Sequence, residues 1–302
     1  MDKLTIEYQN QFKDKLIYDH SVFNNIDPKV KLHEETEGNP LSSSAACLNV
    51  LGSLIHQPEE LKNFLNQFGL EIETIYEFPS NCNVGDRIYT DSGYVIFEWV
   101  GQKESPINEG FGPRGKYITS VDAFVISKIK GKITQLLIEW KFTEGKSRPL
   151  QLERFGGTKG NERLNRYSSI LSKFRGKESF PFKFNEEGGL GLFDFSADHL
   201  YQLLRMTLLA KTTTPIQIGN LSIEDYRMVH LSHSANQEIE ILHDRYLQSS
   251  PGLKKYGGKK LYDVWNEILS PYEKEKFISG HWDKAIKNIK NDQLRTYLTN
   301  RY

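Results

Sequence analysis

The sequence predicts an α/β (α+β) fold in which a mixed central sheet is flanked by helices. Two observations carry this prediction. Apolar residues recur at helical spacing over residues 41–56 and 196–210, and a strand pattern with a tight turn runs from residue 119 to 142, followed by a further strand at 226–231. Helices that enclose a hairpin and a later strand indicate a layered α/β domain.

Composition and length are those of a soluble globular protein. The chain has 302 residues, of which 38% are hydrophobic and 26% charged, enough for one large domain or two ordinary ones. No apolar run approaches the ~20 residues that span a bilayer, and the first residues lack the apolar stretch of a signal peptide. We therefore expect a cytoplasmic protein without membrane association. Cys47 and Cys82 can form neither a disulfide framework nor a four-thiolate zinc site.

Charge is unevenly distributed along the chain. The 39 basic and 39 acidic residues cancel, which argues weakly against a protein that simply coats nucleic acid. Residues 1–127, however, hold 10 Lys/Arg and 19 Asp/Glu, whereas residues 128–177 hold 13 and 4. A basic segment that starts inside the hairpin favours a polyanionic partner, although a solvated basic surface explains it equally well.

The elements follow from local signals. Helices are expected up to Tyr18, over 41–56 with a serine cap and over 58–68, and short strands over 71–100. Residues 101–118 read as a loop because they are rich in Gly, Pro and charge. The polar segment that follows the hairpin contains one helix near 161–174, and the part after Pro251 reads as helical, packed onto the body through Trp265 and Trp282.

The register of the hairpin can be derived from its turn. Lys130-Gly131 separates the two strands, and glycine supplies the positive φ that a tight two-residue loop favours. Facing residues then have numbers that sum to 261, so Asp122 lies opposite Glu139, with Cβ atoms roughly 4.5–5.5 Å apart. Lys141 lies two residues further on, on the same face.

Facing carboxylates in a packed strand need a positive charge nearby. Lys141 supplies one, and a divalent cation would supply the rest; oxygen ligands favour Mg²⁺ or Mn²⁺ over zinc. A structural ion-pair cluster is the alternative. An acid two residues before a lysine occurs four times, ending at Lys29, Lys62, Lys141 and Lys146, but only Glu139-Trp140-Lys141 ends an apolar strand that follows an Asp-bearing strand.

These strands resemble those of the PD-(D/E)XK nuclease superfamily, and in particular type II-like restriction endonucleases. The resemblance rests on Thr119-Ser120-Val121-Asp122-Ala123 and on Leu137-Ile138-Glu139-Trp140-Lys141-Phe142-Thr143-Glu144, with Leu41-Ser42-Ser43-Ser44-Ala45-Ala46 and Asn49 similar to the N-terminal helix. Val121 stands where the motif has proline. The resemblance implies a restriction-endonuclease-like core over residues 41–235 with a basic insertion at about 143–195, a helical N-terminal extension over 1–40 and a helical C-terminal region over 236–302.

The resemblance also implies roles for the site residues. Asp122 and Glu139 would bind the metal together with the Trp140 carbonyl, and Lys141 would orient the attacking water and neutralise the developing charge. Many members add a further acid, for which Glu98 is the first candidate and Glu37 the second. An ordinary surface or loop carboxylate is the alternative for both.

Two helical segments carry candidate DNA contacts. Arg163 and Arg166 share a helical face near Lys159 and could follow the phosphate backbone, although a solvated helix is as good an account. Gln202 and Arg205 lie beside the apolar face of the 196–210 helix, where related nucleases place polar residues near the site.

The sequence therefore predicts a Mg²⁺-dependent endonuclease, with Mn²⁺ as a substitute, that cuts double-stranded DNA as a type II-like restriction or anti-phage defence enzyme. Two strands need two active sites, so a homodimer is expected, with a possible cognate methyltransferase encoded nearby. One alternative keeps the site but assigns repair, recombination or RNA cleavage. Another is a non-catalytic nucleic-acid-binding or interaction protein. No Walker loop, dinucleotide fingerprint or serine-hydrolase elbow is present in the sequence.

Overall fold

The computed structural model describes residues 17–25, 39–79, 82–84, 87–89, 93–101, 107, 119–145, 151, 153–184 and 190–302. It is a mixed α/β structure with a central sheet of parallel and antiparallel strands flanked by helices, as the sequence predicts. Over these residues we find no helix that combines the length and the apolar character needed to cross a bilayer.

The strands of the described residues are, in chain order, β1 (Ile72–Tyr76), β2 (Cys82–Val84), β3 (Arg87–Tyr89), β4 (Ile96–Trp99), β5 (Val121–Ile129), β6 (Lys132–Lys141), β7 (Ile216–Ile218), β8 (Leu221–Ile223), β9 (Asp225–Ser232) and β10 (Phe277–His281). The α-helices are α1 (Ser43–Leu51), α2 (Pro58–Asn66), α3 (Gly157–Ser172), α4 (Asp198–Thr212), α5 (Gln237–Glu240), α6 (Leu261–Ile268), α7 (Pro271–Lys274), α8 (Trp282–Ala285) and α9 (Asp292–Arg301). Short 3₁₀ helices cover His20–Asn25, Gly52–Leu54, Leu192–Phe195, Asp244–Leu247, Pro251–Tyr256 and Ile286–Asn288.

The central sheet has the order β1-β5-β6-β9-β10, and β4 also pairs with β5. Strands β1 and β4 are antiparallel to opposite halves of β5, and β5 is antiparallel to β6. Strands β6, β9 and β10 run parallel. The β6 strand therefore lies inside the sheet, between its antiparallel and its parallel half. Two small hairpins, β2-β3 and β7-β8, stand apart from this sheet.

The predicted register of the β5-β6 hairpin is confirmed. The ladder runs from Ile129 opposite Lys132 to Ala123 opposite Ile138, so paired residue numbers sum to 261. Both loop residues have positive φ, with Lys130 at 49° and Gly131 at 77°, which is the conformation that a two-residue turn of this kind requires.

Both faces of the sheet are buried, which the near-continuous apolar pattern of β5 and β6 favours. On one face Phe124 and Leu137 pack against leucines of α4. On the other face Leu136, Ile138 and Trp140 pack against α1 and α2. The sheet therefore holds the end of the hairpin rigidly between two helical layers.

Several predicted elements differ from the observed ones. Ser42 does cap α1, since its Oγ accepts a hydrogen bond from the Ala45 N–H at 3.3 Å, but α1 ends at Leu51 and continues as a 3₁₀ turn. The helix expected over 196–210 is α4, whose N-cap residue is Ala197, and the Ser196 hydroxyl accepts a hydrogen bond from the Phe155 N–H. The predicted helix up to Tyr18 lies largely outside the described residues.

The prediction that the chain after Pro251 is helical is wrong at one place. Phe277–His281 forms β10, which adds a strand to the edge of the central sheet beside β9. Its sequence, Phe-Ile-Ser-Gly-His, is short and contains a glycine, so local propensity gives no strand signal. Trp265 and Trp282 do pack this region onto the body, since both are completely buried.

Candidate active site

The hairpin brings Asp122 and Glu139 to one end of the sheet. Its last paired residues are Ala123 and Ile138. Just beyond that pair, Oδ2 of Asp122 accepts a hydrogen bond from the main-chain N–H of Trp140 at 2.6 Å. The Asp122 carboxylate thus accepts the hydrogen bond of the Trp140 N–H in place of a carbonyl of the facing strand. Burying this N–H without an acceptor would be costly.

Lys141 neutralises this acidic end of the hairpin. Its Nζ lies 2.5 Å from Oε1 of Glu139 and 4.0 Å from Oε1 of Glu144, and the residue is only 6% exposed. Burial lowers the pKa of Lys141, but Glu139, Glu144 and Asp122 together raise the pKa by more, so that it lies above its ordinary value. The lysine therefore keeps its positive charge at neutral pH.

Glu98 reaches the same place from β4. The residue has a φ of 53°, a left-handed conformation that is uncommon outside glycine and recurs at functional sites. It is 3% exposed, and Oε2 accepts a hydrogen bond from the Ser120 hydroxyl at 3.0 Å. Glu98 and Asp122 line one small cavity. The second candidate acid, Glu37, lies outside the described residues.

Helix α1 closes this cavity with Cys47, which is buried. Burial raises the pKa of the Cys47 thiol, and the negative charges of Asp122, Glu98 and Glu139 raise the pKa further. The Cys47 thiol thus lines the same cavity as Glu98 and Asp122. This thiol stays protonated and is not a nucleophile at neutral pH.

The chemistry of these side chains fits a hard divalent cation. Asp122, Glu139 and Glu98 offer carboxylate oxygens, the ligands that Mg²⁺ and Mn²⁺ prefer. Within the described ranges no group of three or more His, Cys, Asp or Glu side chains converges closely enough to hold an ion. Glu139 is directed at Lys141 instead, so these carboxylates would surround a cation only after Glu139 turns away from the lysine.

Helix α4 places Arg205 near the start of β5. The guanidinium donates to Oγ1 of Thr119 from Nη2 at 2.6 Å and from Nε at 3.1 Å, three residues before Asp122. Gln202 lies one turn earlier on the same helix and is half-buried, as Arg205 is. The structure therefore brings Arg205 to the hairpin end, and it places Gln202 on the same helix.

Helix α3 carries the other predicted DNA contacts. Lys159 is exposed, and Arg163 and Arg166 are half-buried. Arg163 donates from Nη1 to the Arg154 carbonyl at 2.9 Å. The guanidiniums of Arg154, Arg163 and Arg205 lie over the Tyr201 ring, 5.7, 5.9 and 5.3 Å from its centroid. Tyr201 thus connects Arg163 of α3 to Arg154 and Arg205 through cation–π contacts.

Two participants were not predicted from the sequence. Glu144 accepts a hydrogen bond from the Phe142 N–H at 2.8 Å and is the second carboxylate beside Lys141; it follows the strand, where register no longer predicts contacts. Arg154 forms an ion pair with Asp198 at 2.7 Å. No local signal joins these two residues, which are 44 positions apart.

A layered α/β domain with an Asp on one strand of a central hairpin and Glu-x-Lys on the next has the architecture of restriction-endonuclease-like proteins. The family described as restriction endonuclease associating with ARP (REase-ARP) matches residues 8–302. The chain belongs to this family, which confirms the restriction-endonuclease resemblance and indicates a nuclease. No curated protein and no solved structure matches the chain.

Proposed function

We propose that this protein is a Mg²⁺-dependent endonuclease that hydrolyses phosphodiester bonds of double-stranded DNA in restriction or anti-phage defence, with Mn²⁺ as a substitute ion. The observation that carries the proposal is the cluster at the end of the hairpin. There a buried, charged lysine contacts Glu139, while Asp122 and Glu98 line a cavity beside it. Membership of a restriction endonuclease family supports the same reaction class.

The ion would be held by Asp122, Glu139 and Glu98 with the Trp140 carbonyl. When bound, it supplies a water of lowered pKa and positive charge at the scissile phosphate. Lys141, once released from Glu139, would contact the same phosphate through its ammonium. There the Lys141 ammonium would act as a cation and hydrogen-bond donor that stabilises the developing charge.

DNA would lie along α3 and the middle of α4. Lys159, Arg163 and Arg166 would contact phosphates, and Gln202 and Arg205 would approach the strand nearest the reacting bond. Cutting both strands requires two sites, so we propose a homodimer as the active form. A methyltransferase encoded nearby would protect host DNA if the role is restriction.

The test is cleavage of supercoiled plasmid, unmethylated phage DNA and RNA with Mg²⁺, Mn²⁺ or EDTA. Lys141→Met keeps the buried aliphatic chain and removes the charge, so the rate should fall roughly 10²–10³-fold, the usual cost of losing a group that stabilises transition-state charge. Lys62→Met is the matched control, since Lys62 also ends an acid-x-Lys tripeptide but lies on α2, paired with Glu59.

Cleavage by wild type and the Lys62 variant, lost in EDTA and in Lys141→Met, supports the proposal. Undiminished cleavage by Lys141→Met would exclude this site. Cleavage of RNA but not DNA would reassign the substrate.

A further inference from the structure

The main chain that leaves the end of β6 is held by side chains distant in sequence. The Lys141 carbonyl accepts two hydrogen bonds, from the indole Nε1–H of Trp282 at 2.9 Å and from the main-chain N–H of His233 at 3.1 Å. Trp282 lies 141 positions along the chain from Lys141. The C-terminal region therefore contacts the backbone of the proposed catalytic residue itself.

Asn236 holds the next residues of the same segment. Its Nδ2 donates to the carbonyl of Phe142 at 2.9 Å and to that of Glu144 at 3.1 Å, and the side chain is 2% exposed. From the other side the Ser43 hydroxyl accepts from the Phe142 N–H at 2.9 Å. Lys141 is the last residue of β6 that pairs with β9, opposite Ser232, and side chains from other segments hold the main chain of residues 142–144 beyond it.

Trp282 differs from the other tryptophans. All four are buried, but the indole nitrogens of Trp99, Trp140 and Trp265 find no acceptor in the part of the chain that the structure describes. The Trp282 ring also stacks on that of Trp140, with ring centroids 5.0 Å apart. One indole therefore contacts both the side chain at position 140 and the carbonyl at position 141.

We infer that Trp282 and Asn236 are positioning residues that hold the main chain of Lys141 and of residues 142–144, and with it the Lys141 side chain, in place for the reaction. This inference rests on the proposed function of Lys141. Reactive groups must be held within about 0.5 Å, and a 1 Å misplacement can cost roughly 100-fold in rate. A buried lysine that must exchange Glu139 for a phosphate can keep its place only if its main chain does not move. Trp282 and Asn236 supply that restraint without touching the ammonium.

The test compares Trp282→Phe with Trp265→Phe. Both remove the same volume from a completely buried indole, but only the first removes a hydrogen bond to Lys141. We expect kcat on plasmid DNA to fall about 10-fold or more in Trp282→Phe with KM unchanged, and both constants to stay near wild type in Trp265→Phe, at a temperature where melting curves show each protein folded. Asn236→Ala should lower kcat in the same way.

A second variant removes the donor without changing shape. Trp282→3-benzothienylalanine replaces the indole N–H by sulfur, so its fold does not depend on refilling a cavity. Lower kcat with unchanged KM and melting temperature supports positioning. Wild-type kcat in this variant overturns the inference, even if Trp282→Phe is inactive or unfolded. The proposed function fails separately, through undiminished cleavage by Lys141→Met.

Discussion

Lys141 faces three carboxylates, and the structure assigns them different parts. Glu139 is the direct partner at 2.5 Å, Glu144 lies at 4.0 Å, and Asp122 accepts from the Trp140 N–H instead. The sequence predicts that the charges converge, but spacing alone cannot say which carboxylate the lysine selects. This assignment gives Asp122 and Glu139 opposite expected effects on stability.

Without metal, Asp122→Asn should leave the free energy of unfolding nearly unchanged. The amide oxygen can still accept the hydrogen bond from the Trp140 N–H, and the change removes the repulsion between Asp122 and the neighbouring carboxylates. Glu139→Gln should cost several kcal/mol, because it leaves a buried ammonium without its nearest partner. Thermal melts with and without Ca²⁺ or Mg²⁺ add the second test. Wild type should gain melting temperature with the ion and Asp122→Asn far less, since only the folded state assembles the ligands.

A wild type indifferent to the cation, together with a strongly destabilised Asp122→Asn, would contradict a metal site. The cluster would then be a structural ion pair.

His199, at the start of α4, is a buried group that the proposed reaction does not use. It is 2% exposed, its ring packs on that of Tyr246 with centroids 4.9 Å apart, and neither ring nitrogen has a hydrogen-bond partner among the described residues. Burial lowers the pKa of His199 to about 4, against a smaller opposing effect of Asp198. The folded protein therefore holds this imidazole neutral.

Stability should consequently fall in acid. Between the unfolded pKa of about 6.5 and the folded pKa of about 4, the unfolded chain binds a proton at His199 that the folded protein does not, so the free energy of unfolding decreases as pH falls. Complete protonation of His199 would lower the free energy of unfolding by about 3 kcal/mol. His199→Phe keeps the contact with Tyr246 and should flatten the decline between pH 7.5 and 4.5 in urea unfolding. His56→Phe, at an exposed position, is the control; parallel curves for wild type and His199→Phe would refute the assignment.

At the scale of elements, the hairpin could be predicted because its signals are local. Alternating apolar residues and the Lys130-Gly131 turn fix both strands and their register, and the register brings Asp122 and Glu139 to one end. Strand β10 could not be predicted in this way. It forms because the parallel edge of β9 offers main-chain partners, which no property of its own five residues encodes. The sequence predicts that Trp282 is packed onto the body. Its hydrogen bond to Lys141 could not be predicted, because it depends on the pairing of β10 with β9.

Helices α3 and α4 carry the arginines proposed to bind DNA. Replacing Arg163 and Arg166 by Ala should weaken binding to all sequences and reduce the slope of log K against log salt by about 2, as the loss of two phosphate contacts does. Binding isotherms at several salt concentrations measure the slope. Arg295→Ala is the control, because α9 packs through Leu294 and Leu298 on the opposite face of the sheet. An unchanged slope in the double variant would place α3 away from DNA.

At the scale of the whole molecule, the sheet joins segments from most of the chain. Two hydrophobic core clusters cover the two faces of the sheet. Ser43 of α1 and Trp282 of α8 both form hydrogen bonds with the main chain at the C-terminal end of β6. The candidate site is therefore built from several segments that are distant in sequence. Its acids come from β4, β5 and β6, while the groups that fix the main chain come from α1, from α8 and from the segment after β9.

The distance in sequence between Lys141 and Trp282 also sets an order of events during synthesis. At about 5–20 residues per second, a ribosome needs roughly 7–28 s to pass from one to the other, a separation of 141 residues. Throughout that interval the emerging polypeptide carries the hairpin but lacks the indole that anchors Lys141, and it gains β9 and β10 only as synthesis proceeds. A half-made chain still attached to the ribosome therefore has Glu98, Asp122 and Glu139 but lacks the hydrogen bond from Trp282 that holds the main chain at Lys141.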